Sequence, residues 1–304
     1  MSMIQQHRVL ARPGLMKDFK DSYEKFPLCY SQYAKVSSTD KPEVFGVTQA
    51  GPSRLLQTRE GEAVSYMEVV TGPKVGAVDK TYKGGYFITK EAIDDDGYGK
   101  LNQGSKWLAE AAQYTKEYTT VGMIDDAFAG TNFKGMDGLS LLNTAHTLIN
   151  SGTTVANRPA TALSLSVAGF TALMDLARKC KNENGDPMVV MPDMLMIAND
   201  QGQVNKAHQI LESSLEPFTA NNQDNPIRRN FKPSKIIVNP YMTNLFHYFV
   251  VDTRLNDLQV LEREKITMSD DYDTERDISK VRARGRWITW FRDWRGWYGS
   301  NASA

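Results

Sequence analysis

Three consecutive carboxylates, Asp94, Asp95 and Asp96, form the first group of residues in this 304-residue chain that could do chemistry. Clustered hard oxygens suit a divalent cation. Acidic residues ahead of a long helix have a commoner role, because negative charge there complements the helix dipole; a solvated helix start is the expectation. A second acidic run, Ser269 to Asp277 (SDDYDTERD), lacks the glycine and the ligand spacing of an EF-hand loop and reads as a solvated or salt-bridged face. His146, His208 and His247 sit in no HExxH frame; His146 reads as a turn residue that holds its loop by hydrogen bonds, and His208 as packed or half-exposed beside a helix stripe. Cys180 falls on an apolar helix stripe, where a small buried hydrophobe is the ordinary role. There is no GxSxG elbow, P-loop or complete GxGxxG. The expectation is therefore no catalytic residue, no cofactor and no metal.

The tail is different. In KVRARGRWITWFRDWRGWYG an extended strand places Arg282, Arg284, Arg286, Ile288, Trp290, Arg292 and Trp294 on one side, and Trp287, Thr289, Phe291 and Asp293 on the other. Both sides carry tryptophan, so the strand needs cover on both, as sheet centre or subunit contact. Its arginines could touch phosphates or pair with carboxylates. The balance of 36 basic and 36 acidic residues gives no global positive field and favours pairing. Arg228 and Arg229 invite the same choice.

The elements that must carry these residues follow from periodicity. Residues 1–53, interrupted by Pro13, Pro27, Pro42 and Pro52, fit an extended arm with one short helix near Leu15 to Phe26. An arm of this composition buries too little to offset ordering costs of about 1 to 2 kcal/mol per residue and needs something to lie on. Residues 54–93 predict a long hairpin and its return, SYMEVV then VDKTYKGGYFIT, with a tip at Thr71 to Gly76 that stays mobile until docked. Within residues 94–142, Leu101, Leu108, Ala111, Ala112, Thr115, Tyr118 and Gly122 recur every three or four positions and predict a helix from about Asn102 to Phe128, ended by Gly130. Residues 143–258 are mixed. They hold a helix capped by Ser164 or Ser166 and stopped at Gly185, a buried strand in MVVMPDMLMIA broken by Pro192, and a helix begun by Asp200. The strands KIIVNP and HYFVVD follow, with an exposed loop, PFTANNQDNPIRRNFKP, ahead of them. Residues 259–304 hold the closing strands and tail. Trp107, beside the helix stripe, is a candidate contact. Two distant cysteines, Cys29 and Cys180, suggest a reducing compartment. No apolar run is long enough for a signal peptide or a membrane span.

The order of arm, hairpin, long helix, mixed portion and closing strand resembles the Hong Kong 97-type capsid fold. The phrases GYFITKEAIDDD, GLSLLNTAHTL, NENGDPMVVMPDMLMIANDQ and DWRGWYGSN are similar to parts of Mu-like prophage major head subunits. The resemblance covers about Leu55 to the end. It implies an α+β fold with an N-arm, an E-loop, a P-domain with a spine helix, and an A-domain. It also implies a major capsid protein of a tailed bacteriophage that self-assembles as hexamers and pentamers around double-stranded DNA. Implied partners are other copies of the chain, a separate scaffolding protein because no removable segment precedes the arm, a portal and a decoration protein. DNA would lie on the inner face without sequence specificity, in a virion assembled in the host bacterial cytoplasm, with no membrane. The candidate intersubunit contacts are Thr71, Gly72, Pro73, Lys74, Trp107, Arg284, Arg286, Trp290 and Trp294. Two rivals stand beside this reading: an encapsulin-like compartment shell, and a metal-dependent enzyme using Asp94 to Asp96.

Overall fold

A computed structural model describes residues 15–55, 57–64, 66–95, 100–217, 223–231 and 235–302. The tryptophan-bearing tail strand lies where its two-sided pattern requires, inside a sheet. In chain order the strands of this first sheet are β1 (Lys35–Ser38), β4 (Lys80–Thr89), β10 (Leu258–Asp273) and β11 (Ile278–Phe291), and their spatial order is β1-β10-β11-β4. β10 and β11 form a long antiparallel hairpin from Leu258↔Phe291 to Asp273↔Ile278, with register shifts on either side of Glu264. β4 pairs antiparallel with β11 from Trp287↔Lys80 to Ile278↔Thr89, and β1 runs parallel to β10.

One face of that sheet is covered by a long helix, α3 (Lys100–Asp125), of 26 residues and so about 39 Å. The expected helix is therefore present, two residues earlier at its start and three at its end, and Gly130 follows it at φ +63°. The odd positions of β11 face α3: Val281, Ala283 and Trp287 are buried, and the Trp287 Nε1–H donates to Thr119 Oγ1 at 3.1 Å. The buried face of α3 differs from the expected stripe. Leu108 is on it, but Ala111 and Tyr118 are exposed, while Gln113, Lys116 and Glu117 are buried.

Those polar positions are buried because the arm lies on them. Residues 15–25 form α1, whose Phe19 packs on Leu108, Ala109, Val281 and Ala283. A 3-10 turn (Tyr30–Gln32) and β1 follow. The arm thus contains the expected helix, and what residues 15–38 lie on is their own subunit.

A two-stranded ribbon is formed by β2 (Glu43–Ala50) and β3 (Val70–Val78), antiparallel from Glu43↔Val78 to Ala50↔Val70. Asp79 separates β3 from β4, and β4 leads into α2 (Lys90–Asp94). A second small pair, β5 (His146–Thr147) and β6 (Thr154–Val155), follows α3.

The second main sheet has the order β12-β9-β7-β8, from β7 (Met194–Ala198), β8 (Lys235–Asn239), β9 (Tyr248–Val251) and β12 (Trp297–Ser300). Every residue of β7, β9 and β12 is buried. The predicted strand begins only at Met194, after Pro192. Around this sheet lie α4 (Val167–Arg178), α5 (Gln201–Glu212) and α6 (Pro226–Asn230). The Ser166 hydroxyl accepts the Gly169 N–H at 3.1 Å and Asp200 accepts the Gln203 N–H at 2.9 Å, the two expected caps. α4 ends at Arg178 rather than Gly185, which occupies the following turn at φ +88°. The loop expected to be wholly exposed contains α6, capped by Asn225, and buries Ile227 and Phe231, the latter edge-on to Phe170 at 4.9 Å. β12 belongs to this second sheet, so residues 259–304 serve both sheets rather than closing the first alone.

Candidate functional site

The hairpin is where structure and sequence differ most. Thr71, Gly72, Pro73 and Lys74 lie within β3 instead of forming a tip, Thr71 opposite Gln49 and Lys74 opposite Val47 on either side of a register shift. Gly72 packs beneath Ile149 of the same chain, and the Lys74 ammonium lies 3.3 Å from the centre of the Phe45 ring. The tip is residues 51–69, between β2 and β3. Polar and glycine-rich residues at 71–76 suggest a turn, but a two-stranded ribbon that packs on one side only, through Val44 and Ala77 against Leu261, Ile288 and Trp290, tolerates them equally well.

Residues 51–69 carry a group of apolar side chains with little cover from their own subunit. Leu55 is 98% and Tyr66 91% exposed, and Val64, Met67 and Val69 are also exposed. Scattered exposed apolar residues are ordinary; several in one projecting segment indicate a contact surface. The base of the segment is tied to the turn that follows α4. Asp186 accepts the Ser53 hydroxyl at 2.5 Å and the Arg54 Nε–H at 2.9 Å, and the Asn184 amide donates to the Gly51 carbonyl at 2.9 Å. These donors hold the Asp186 carboxyl below the usual carboxylate range, Ser53 foremost.

Trp107 is 62% exposed on α3 and stands as an available contact. Tyr114 and Tyr118 share its side of the helix at spacings of seven and four residues and are exposed too, with Tyr241 edge-on to both at 6.2 and 5.5 Å. This aromatic stripe went unnoticed in sequence because Tyr118 fits the apolar period.

The tail residues divide. Arg284 is exposed and pairs loosely with Glu264 at 3.4 Å. Arg286 is committed within the subunit: with Arg263 it grips the nearly buried Asp79 at 2.6 and 3.0 Å. Trp290 and Trp294, proposed as contacts, are core residues. Trp290 donates to the Lys134 carbonyl at 2.9 Å and packs with Leu261 and Ile288, while Trp294 stacks on His146 at 4.0 Å. Alternation placed them on the arginine side, but residues 131–136 and the His146 loop cover that side.

Two of the three histidines in the globular part have carboxylate partners. His146 is buried, its ring nitrogens meeting Asp137 at 2.5 Å and Asn157 at 3.1 Å, in the loop-holding role expected of it. His208 pairs with Glu212 one turn on at 3.1 Å. Burial pushes the Cys180 thiol up and lowers the His247 pKa. Asp94 ends α2 and Asp95 follows it, so the expected helix-start role does not apply to them; Asp96 lies outside the described residues. Among the described residues no group of three or more His, Cys, Asp or Glu is placed to hold a metal ion. The acidic run at 269–277 is salt-bridged, with Lys280 holding Asp273 at 2.7 Å. Arg228 is exposed, and the Arg229 side chain lies outside the described residues. No described helix is long and apolar enough to cross a membrane.

Lys116 and Glu117 are the functional residues that sequence reasoning missed. The Glu117 carboxylate accepts the N–H groups of Cys29 and Tyr30, and the Lys116 ammonium meets Glu262 at 2.5 Å and the Tyr23 hydroxyl at 2.7 Å. Two adjacent charges in a helix signal solvent when no partner is visible nearby in sequence.

Comparison with known proteins bears on this arrangement. The sequence profile of the family described as "Phage capsid protein" matches residues 77–300. No curated protein matches the sequence. Among solved structures, the procapsid of bacteriophage JBD30 superposes with a TM-score of 0.55 at 12% identity, covering 100% of this chain and 77% of that one. A virus-like particle from Pyrococcus furiosus gives 0.52 at 12% identity, with 95% and 98% covered. The capsid of a native GTA particle gives 0.57 at 10% identity, with 90% of each chain covered. Identities this low speak to the fold, and they are alike in kind: α+β chains of the Hong Kong 97 type.

Proposed function

The chain belongs to the phage capsid protein family and is a bacteriophage major capsid protein of Hong Kong 97-type fold, and from that premise we propose how its copies build a shell. They associate as hexamers and pentamers that close around double-stranded DNA. The mechanism is mechanical: a projecting segment that cannot cover itself is ordered against a neighbour, so contact and local folding occur together. Closed symmetry then multiplies modest contacts without leaving free edges.

The observation that carries this reading is the run of exposed apolar side chains from Leu55 to Val69 at the end of the β2–β3 ribbon. No catalytic step is assigned to the chain: His146 pairs with Asp137 and Cys180 is buried in the core. Packaged DNA lies on the inner face without sequence readout, and the neutral net charge supports weak rather than condensing contact. A separate scaffolding protein, a portal and a decoration protein remain the proposed partners, with assembly in the host bacterial cytoplasm. A cellular compartment shell shares the fold, but the matching family is viral, which favours the virion.

Electron microscopy of the purified chain, alone and with the candidate scaffolding protein, tests this. Closed particles are expected in at least one condition. A protein that stays monomeric in both at high concentration would overturn the reading.

A further inference from the structure

The turn after α4 holds the one asparagine of the sequence that is followed by glycine, Asn184–Gly185. That order matters chemically, because glycine puts no side chain between its own backbone nitrogen and the preceding side-chain amide. Gly185 also stands at φ +88°, a conformation other residues rarely adopt.

Two hydrogen bonds hold the Asn184 amide. The Asn150 Nδ2–H donates to its Oδ1 at 2.7 Å, and its own Nδ2–H donates to the Gly51 carbonyl at 2.9 Å. The first draws electron density from Cγ and is placed to stabilise negative charge developing on Oδ1. The second holds the amide nitrogen against the base of the segment 51–69. The Gly185 N–H donates to the Asn182 carbonyl at 3.0 Å, so the turn must open locally before that nitrogen can attack.

We infer that Asn184 is a site of spontaneous deamidation, and that the change unties the base of the projecting segment. Water is the only co-reactant. The Gly185 nitrogen gives up its proton and bonds to Asn184 Cγ; the Cγ–Nδ2 bond breaks and ammonia leaves with that proton, closing a cyclic succinimide. Water then adds to either imide carbonyl, and ring opening gives aspartate or isoaspartate, the latter with a backbone longer by a methylene. Either product replaces the donor to the Gly51 carbonyl by a carboxylate oxygen, so that two acceptors face each other with no proton between them. It also adds a negative charge to a turn that already carries Glu183 and Asp186. The longer isoaspartate backbone moves the Asp186 carboxylate, two residues on, away from Ser53 and Arg54. The site goes beyond the shell reading: it acts as a slow clock on the unassembled subunit, whatever that subunit builds.

The test incubates the unassembled full-length chain for days at mildly alkaline pH and maps its peptides by mass spectrometry, with an isoaspartyl methyltransferase marking isoaspartate. Asn184 is expected to convert before the other asparagines. Asn150→Ala keeps Asn184–Gly185 but removes the donor to Oδ1, and should slow the conversion on the order of tenfold, less than loss of an oxyanion donor costs in a closed enzyme site. Asn184→Asp supplies the aspartate product from the start. It should keep the wild-type melting temperature, and trypsin should cut it at Arg54 and Arg59 severalfold faster than the wild type. If Asn184 converts no sooner than the other asparagines, or no more slowly in Asn150→Ala, the site is overturned; if Asn184→Asp is cut no faster than the wild type, the untying is overturned.

Discussion

The Glu117 carboxylate, on the long helix, accepts the backbone N–H of Tyr30 at 3.1 Å and that of Cys29 at 2.6 Å. Helix and arm are thereby joined across 87 and 88 residues of sequence. Two N–H groups at the start of a 3-10 turn lack partners in their own turn, and a carboxylate from outside supplies them.

Removing that acceptor should loosen the arm before the rest of the subunit. Glu117→Ala leaves the buried Tyr30 N–H unpaired, a loss of about 1 to 3 kcal/mol, whereas Glu117→Gln keeps one acceptor and should lose less. Hydrogen exchange of residues 15–38 reports the difference; equal protection in all three proteins would remove Glu117 from this role.

The same residue gives the arm a pH dependence. Burial raises the Glu117 pKa, and the two backbone donors oppose this only in part. A folded pKa above the unfolded value means that its contribution is fully present below the unfolded carboxylate pKa and is lost as pH rises through the folded one. Arm protection should therefore fall as pH rises from the ordinary carboxylate range through the raised value, and Glu117→Gln should flatten that slope. A steeper slope in the variant would contradict the assignment.

Lys116 and Glu262 form a buried pair, so breaking it from one side strands a charge. Lys116→Met should destabilise the subunit by about 3 to 5 kcal/mol by leaving Glu262 uncompensated. Lys116→Met combined with Glu262→Met should cost clearly less than the sum of the single changes. Chemical denaturation of the four proteins measures the coupling, and simple additivity would show that the pair is not one unit.

Trp290, though on the arginine side of its strand, should behave as core. Trp290→Ala is expected to lose about 3 to 5 kcal/mol of stability and to appear as an unfolded or aggregated subunit. A variant that melts normally but fails only in assembly would return Trp290 to the subunit interface.

The tie between Arg54 and Asp186 should govern how readily residues 51–69 are cut. Asp186→Ala is expected to speed limited tryptic cleavage at Arg54 and Arg59 in the unassembled subunit while leaving the melting temperature unchanged. Unaltered cleavage would mean that the tie contributes no restraint.

Much of this architecture was legible in sequence wherever a local rule suffices. Ser166 and Asp200 announce helix starts because the capping oxygen lies within three residues of the N–H it accepts. The tail strand announces a sheet interior because both its faces carry tryptophan. What escaped depends on distant partners. Lys116 and Glu117 are buried only because Tyr23, Cys29, Tyr30 and Glu262 come to meet them. Glycine and proline at 72 and 73 look like a turn unless the pairing of Thr71 with Gln49 is known. Trp290 is covered by residues 131–136, which have no periodic signal to give their position away.

Only five residues separate β11 in the first sheet from β12 in the second. Fourth among them is Arg295, its guanidinium held by Glu183 at 2.5 Å and Asp293 at 3.1 Å, with the Lys181 carbonyl accepting at 3.0 Å. Such a short riveted joint leaves the two sheets, which share one hydrophobic core, little freedom to tilt against each other. Strain from pressure within a filled container would then pass through the tile unabsorbed, and differences in curvature between sites would have to be taken up by the ribbon and the arm.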